Sequence, residues 1–149
     1  MEKERDYPDF HYSLGHNLHR MGQLTREETQ KVLKKFDLTP EQWQILLALS
    51  KSNGLTPSEL GEITLRDKTT ISRILPALFR KGMIHKQKRT GDARSYVIQL
   101  DEKCHMLLMQ TVEEIRDHYQ TVVFRSLSAT EQDQLLSLLL KIRRDLHDI

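Results

Sequence analysis

The sequence has a single cysteine, Cys104, and therefore cannot form an intrachain disulfide. It also lacks any apolar run near the roughly 20 residues that a membrane-spanning helix requires, and its first ten residues, MEKERDYPDF, are too charged for an export signal. We therefore expect a cytoplasmic protein in a reducing environment, with no membrane partner. Only 6% of the residues are aromatic, which leaves few rings for stacking on single-stranded bases.

The motifs of common enzymes are missing as well. The sequence contains no Gly-x-Ser-x-Gly elbow, no Walker loop and no pair of carboxylates in an apolar setting. We therefore expect neither catalysis nor a cofactor. His11, His16 and His19 share one predicted helix, but a metal ion would need further ligands such as His105 or His118. The histidine pattern does not predict a metal site.

Charge is distributed unevenly along the chain, although the net charge is only +2. Residues 51–100 contain ten Lys and Arg against four Asp and Glu, a local charge of +6. The remainder contains thirteen cations and seventeen acids, a charge of −4. A basic centre between acidic ends indicates a local site for a polyanion.

Helical periodicity predicts long helices at both ends of the chain, over about 11–36, 102–124 and 129–146. Ser128 or Thr130 is expected to open the last of them. Leucine-rich stripes run along these helices, and the small centre of the chain cannot cover them all. The sequence therefore predicts a homodimer that is joined through helices from both termini.

Capping signals divide the centre of the chain into three shorter helices. Thr39-Pro40 and Thr56-Pro57 each begin a capping box with proline at the first helical position, closed by Gln42 and Glu59. Asp67 caps a third helix that ends at Gly82.

Three positions in this region carry specific expectations. We expect Leu60 and Ile63 to point into the core. Pro76 lies inside the third helix, where it costs roughly 3 kcal/mol in an ideal helix. Either a kink or tertiary packing must accommodate it.

A basic hairpin follows these helices. In the segment MIHKQKRTGDARSYVIQL, the residues Tyr96, Ile98 and Leu100 alternate with more polar ones, as in a half-buried strand. The turn falls at residues 90–93. The order of helix, short turn, helix and basic hairpin predicts a winged helix-turn-helix, a mainly α fold of about six helices with a two- or three-stranded β-wing.

This order suits binding to double-stranded DNA, with the second helix of the pair in the major groove. Cations at the hairpin tip repel one another until they meet phosphates, and counterion release then favours the complex. Asp92 is expected to orient Arg94, or Arg73 of the neighbouring helix. The candidate DNA-binding residues are Thr56, Ser58, Lys68, Thr69, Thr70, Ser72, Arg73, Lys86, Lys88, Arg89, Asp92 and Arg94.

The segments LTPEQWQILLAL, LTPSELGEITLRDKTTISRIL, RKGMI and RTGDARSYVIQL resemble the MarR-type winged helix regulators. The Asp92-Ala93-Arg94 wing and the KTTISR helix carry most of the resemblance, which covers about residues 35–105. It implies a DNA-binding domain at 37–101 and a dimerisation region at 1–36 and 102–149. It also implies a transcriptional repressor that binds a pseudo-palindromic operator and releases it on a small-molecule, redox or metal signal.

The resemblance leaves the signal open. His16, Trp43 and Cys104 are the effector candidates: Trp43 at the edge of a pocket, and Cys104 as a thiol whose pKa a helix N-terminus would lower. The reactive cysteine of the family's peroxide sensors lies on the first helix, where this chain has none. Core packing is the alternative role for Trp43 and Cys104. The alternative function is a winged-helix module that binds protein or RNA without operator specificity.

Overall fold

The computed structural model describes residues 10–89, 91 and 95–149. This part of the chain is mainly helical, with one antiparallel hairpin. A turn of 3-10 helix at Phe10–Tyr12 precedes the first helix, and another, Lys34–Phe36, extends it. The elements are α1 (Leu14–Leu33), α2 (Pro40–Ser50), α3 (Pro57–Thr64), α4 (Lys68–Arg80), β1 (Ile84–Lys88), β2 (Tyr96–Leu100), α5 (Cys104–His118) and α6 (Ala129–Asp145).

The capping boxes fix where the short helices begin. The Thr39 hydroxyl accepts from the backbone N–H of Gln42, whose side chain accepts from the backbone N–H of Thr39. Thr56 and Glu59 make the same reciprocal pair at the start of α3. Each pair satisfies two N–H groups that a helix start would leave unpaired, which fixes the first residue of the helix. Both helices begin where the sequence predicts.

The core of the described chain lies where α2, α3 and α4 meet the hairpin and α5. Its fully buried side chains include Ile45, Leu46, Leu60, Ile71, Leu78 and Ile98. Leu60 points inward as predicted, whereas the expectation for Ile63 was wrong, because its side chain is 58% exposed. On the eight-residue α3, the buried face is confined to Leu60 and Gly61, and Ile63 lies outside it.

The wing consists of β1 and β2, paired in register from Ile84 opposite Leu100 to Lys88 opposite Tyr96. Leu55, just before α3, adds a bridge to Ile98 through two backbone hydrogen bonds of 3.0 and 2.7 Å. The third strand allowed by the sequence is therefore a single bridging residue. This bridge attaches the wing to the start of α3.

Helix α4 follows one of the two alternatives expected at Pro76, and α5 differs in detail from its predicted range. Helix α4 continues across Pro76 from Lys68 to Arg80, and Leu75 and Leu78 on either side are buried. Tertiary packing thus accommodates the proline. Helix α5 begins at Cys104 and continues from His118 into one π-helical turn, Tyr119–Val123. Within the described ranges, no helix combines the length and the apolarity needed to cross a bilayer.

The turn between α3 and α4 depends on a close backbone contact. The N–H of Arg66 donates to the carbonyl oxygen of Gly61 at 2.9 Å, and Leu65 adopts a left-handed conformation with φ of 54°. A Cβ atom added to Gly61 would lie 2.8 Å from the carbonyl oxygen of Arg66. Because that neighbour is backbone, no side-chain rotation relieves the overlap.

We predict that Gly61→Ala destabilises the protein. The strain of about 1–3 kcal/mol should exceed the gain in helix propensity, which is at most about 1 kcal/mol. Gly15→Ala is the control, since its added Cβ would meet no atom within 4 Å beyond the neighbouring backbone of its own helix. Urea unfolding should show a lower free energy of unfolding for Gly61→Ala only. Equal stability of the two variants would contradict the role given to this contact.

Candidate nucleic-acid interface

The first two turns of α4 present a polar surface to solvent. Lys68, Thr69, Ser72 and Arg73 are exposed, and Thr70 is half-buried. On the opposite side of the helix, Ile71 is fully buried. The sequence-predicted residues of this helix therefore share one accessible side, while the apolar ones anchor it to the core.

Asp67 holds the start of α4. Its carboxylate accepts a hydrogen bond of 2.7 Å from the backbone N–H of Thr70. Hydrogen bonds from the Thr70 backbone and side chain, with the charge of Arg73, lower the pKa of Asp67 below its ordinary value. The ionised carboxylate therefore stabilises the helix N-terminus that carries the candidate residues.

A groove of about 460 Å³ lies between the start of α3 and the start of α4. Ser58 is exposed in the first turn of α3, whereas the Thr56 hydroxyl is committed to the cap. Arg66, in the turn, joins Ser58 and Lys68 along this groove. Arg66 was not among the residues predicted from the sequence. Its place directly before the Asp67 cap, between the two helices of the predicted helix-turn-helix, was the signal that could have identified it.

Lys86 in the wing is already in contact with two aromatic rings. Its Nζ lies 4.6 Å from the ring centroid of Tyr96 in β2 and 5.5 Å from that of Phe79 in α4. These are cation–π distances, which favour a fixed position for the ammonium group. Lys86 therefore ties the wing to α4, a contact that the sequence did not reveal.

Arg89, at the end of β1, lies close to a carboxylate. Its Nη2 is 3.7 Å from Oε1 of Glu59, the residue whose Oε2 closes the capping box of α3. Lys88 is exposed. The predicted residues Asp92 and Arg94 fall outside the described residues. Among the described wing cations, Lys86 and Arg89 therefore have interaction partners within the protein, whereas Lys88 is exposed to solvent.

Helix α1 is connected to the α3–α4 turn through Glu41 of α2. Arg26 donates from Nε and Nη2 to the two carboxylate oxygens of Glu41 at 2.6 and 3.0 Å. Nη2 of Arg66 lies 3.9 Å from Oε1 of the same carboxylate. The hydrogen bond with Glu41 raises the pKa of Arg26. The turn that precedes α4 is therefore joined ionically to the first long helix.

The three effector candidates lie apart and have different surroundings. Nε1 of Trp43 donates to the buried hydroxyl of Thr111 in α5 at 2.9 Å, so this polar group has a structural partner. Burial, with a further effect from the charge of Asp101, raises the pKa of the Cys104 thiol. This shift is opposite to the lowering that a helix start could give, and it agrees with core packing, the alternative role for Cys104. His16 is exposed near the start of α1.

A second groove, also about 460 Å³, separates α2 from α5. It combines apolar side chains with charged groups of both signs and is lined by Leu47, Ser50, Lys51, His105, Leu108, Met109, Val112, Glu113 and Arg116. None of the three effector candidates lines it. Across the residues that the structure describes, no group of three or more His, Cys, Asp or Glu side chains is placed to hold a metal ion.

Residues 36–95 match the family model described as MarR family. The chain is also similar to wild-type MarR from E. coli in its apo form, with 25% identity and a TM-score of 0.78. That similarity covers 87% of this chain and 96% of the E. coli chain. Both comparisons agree with the fold built above from the helices and the wing.

Two further similar structures contain DNA. A cysteine-to-serine mutant of MarR from E. coli, complexed with operator DNA, has 24% identity and a TM-score of 0.80, over 91% of this chain and 99% of that one. The MepR–DNA complex from S. aureus has 24% identity and a TM-score of 0.76, over 90% and 98%. At this identity the two likenesses establish the shared fold.

Proposed function

Because this chain is a winged helix-turn-helix protein of the MarR family, we propose that it is a DNA-binding transcription regulator, acting as a homodimeric repressor. The observation that supports this most is the exposed polar side of α4, held by the Asp67 cap next to a basic wing. The DNA in the similar MarR and MepR complexes supports the same ligand.

In the proposed complex, the start of α4 enters the major groove of each half-site. Lys68, Thr69, Thr70, Ser72 and Arg73 then face base edges. The start of α3 with Thr56 and Ser58, and the wing with its cations, lie against the phosphates on either side. Asp92 and Arg94 keep the roles proposed from sequence.

We predict different losses for the base-reading and phosphate-binding residues. On an operator selected from random duplexes, Arg73→Ala should cost about 1–3 kcal/mol and relax discrimination at particular bases. Lys88→Ala should weaken binding to all duplexes alike and reduce the salt slope by about one unit. Fluorescence anisotropy at several salt concentrations measures both. If Arg73→Ala kept full base discrimination, α4 would not be the reading helix.

The ion pair between Glu59 and Arg89 competes with the proposed phosphate contact of Arg89. We predict that Glu59→Gln binds every duplex more tightly, by roughly two- to fivefold at low salt, since an exposed ion pair contributes up to about 1 kcal/mol. Glutamine also closes a capping box, so the start of α3 is kept.

Glu131→Gln is the matched control for this prediction. Glu131 closes an equivalent capping box with Ser128 at the start of α6, and no arginine is paired with it within the described chain. Its affinity for DNA should equal that of the wild type. An unchanged affinity of Glu59→Gln would show that Arg89 does not leave Glu59 to bind phosphate.

The proposed dimer rests on apolar side chains that a single chain leaves in water. In α6 no residue is buried, and Leu138 is 59% exposed. Exposed apolar residues recur at helical spacing along two helices: Leu14, Leu18, Met21 and Leu24 on α1, and Leu135, Leu138 and Ile142 on α6, with Leu146 directly after it. Covering such stripes with a second copy buries both sets by one twofold operation.

We predict that Leu138→Glu converts the dimer into monomers, because it places a charge in the apolar stripe of α6. Met106→Glu is the control, since Met106 is an exposed apolar residue, 83% exposed, on α5 and belongs to neither stripe. Sedimentation equilibrium should give about half the wild-type mass for Leu138→Glu only. A wild-type mass for Leu138→Glu would contradict the proposed interface.

We further propose that a small apolar anion releases the DNA. The groove between α2 and α5 supports this, because Lys51 and Arg116 stand beside Leu108 and Val112 in it. Ligand bound there would contact α2, which packs against the helix-turn-helix, and α5, which leads toward α6. His16 and Trp43 stay proposals from sequence, and the burial of Cys104 disfavours an oxidant at that thiol.

A further inference from the structure

The ionic chain Arg26–Glu41–Arg66 joins α1 to the start of α4. Because α1 carries one of the two apolar stripes of the proposed dimer, we call it the dimer arm. Arg26 lies in α1, Glu41 in the first turn of α2, and Arg66 directly before the Asp67 cap. The Arg26–Glu41 bond is bidentate, a geometry that fixes direction as well as distance. A change in the direction of α1 is therefore transmitted to Glu41.

Glu41 provides the negative charge for both arginines. Its side chain is 19% exposed and that of Arg66 is 30% exposed. Burial opposes ionisation of Glu41, but the hydrogen bond from Arg26, the backbone N–H of Glu41 and the two arginine charges together lower its pKa. Glu41 is also the only carboxylate within 4.0 Å of Arg66 among the described residues. Without this charge, Arg66 loses its ionic partner.

Arg66 cannot move independently of the helix-turn-helix. Its N–H is bonded to the Gly61 carbonyl, and its own carbonyl oxygen lies against the Gly61 backbone. Its Nε is buried and has no hydrogen-bond partner within the described chain, and the guanidinium has the Glu41 carboxylate as its ionic partner at 3.9 Å. The position of Glu41 therefore bears directly on the residue that precedes α4.

We propose that Glu41 is a positioning residue that fixes the angle between the dimer arm and α4, and so sets the half-site spacing that the dimer reads. The inference rests on the proposed function, because it requires two copies on two half-sites. Adding one base pair between half-sites rotates one relative to the other by about a tenth of a turn. A rigidly held α4 discriminates against that rotation, whereas a loosely held one tolerates it.

The test compares Glu41→Gln with wild-type protein on duplexes whose two selected half-sites are moved apart one base pair at a time. Discrimination between the best spacing and the next should fall by roughly fivefold or more, the lower range of measured couplings between sites. Affinity for non-specific duplex should stay within about twofold. Loss of stability alone would not flatten the spacing profile of the folded dimer.

Two further variants make the result decisive. Arg26→Gln breaks the same chain from α1 and should reproduce the flattened profile, including where Glu41→Gln fails to fold. Glu28→Gln is the matched control: Glu28 lies on α1 and is bonded to Lys31 at 2.6 Å and His118 at 2.7 Å, away from the α3–α4 turn. It should keep the wild-type profile.

The outcomes separate this inference from the function on which it rests. A wild-type preference for one spacing that both Glu41→Gln and Arg26→Gln retain overturns the role of Glu41 and leaves the proposed function in place. A wild type that shows no spacing preference contradicts the two-headed operator complex, and the inference with it. A flattened profile in those two variants, but not in Glu28→Gln, supports the inference.

Discussion

The contact between Gly61 and the backbone of Arg66 is the constraint on which the rest of the interface depends. It brings the end of α3 so close to the start of α4 that only glycine fits without displacing backbone. Arg66, Asp67 and the exposed side of α4 follow in sequence from that fixed point. The short, tight turn thereby converts two small helices into one rigid unit that presents its polar residues together.

Ionic and aromatic contacts then orient this unit against its neighbours. Glu41 connects it to α1, Lys86 connects α4 to the wing, and Glu59 places α3 beside Arg89. Each of these contacts involves a charged side chain on or next to the proposed DNA-binding surface. DNA binding is therefore linked to these internal contacts, since a side chain that contacts phosphate must first weaken or leave its partner within the protein.

The fold was predictable because its signals are local. Capping boxes, the Asp67 cap and strand alternation act over three or four residues, so the sequence alone located the helices and the wing. The errors concern burial and long-range contacts. The exposure of Ile63 became clear only from the structure, in which α3 buries a single narrow face. The pKa of the Cys104 thiol likewise depends on the packing around it. The Glu41 chain joins residues far apart in sequence, which no spacing pattern encodes.

In the proposed complex, the start of α4 and the wing bind DNA together as one surface. Hydrogen–deuterium exchange of the full chain, with and without a selected operator duplex, tests it most directly. Amides at 68–73 and 85–89 should gain protection on binding, because both segments become covered. Protection confined to α5 and α6, with no change at the start of α4, would contradict the account.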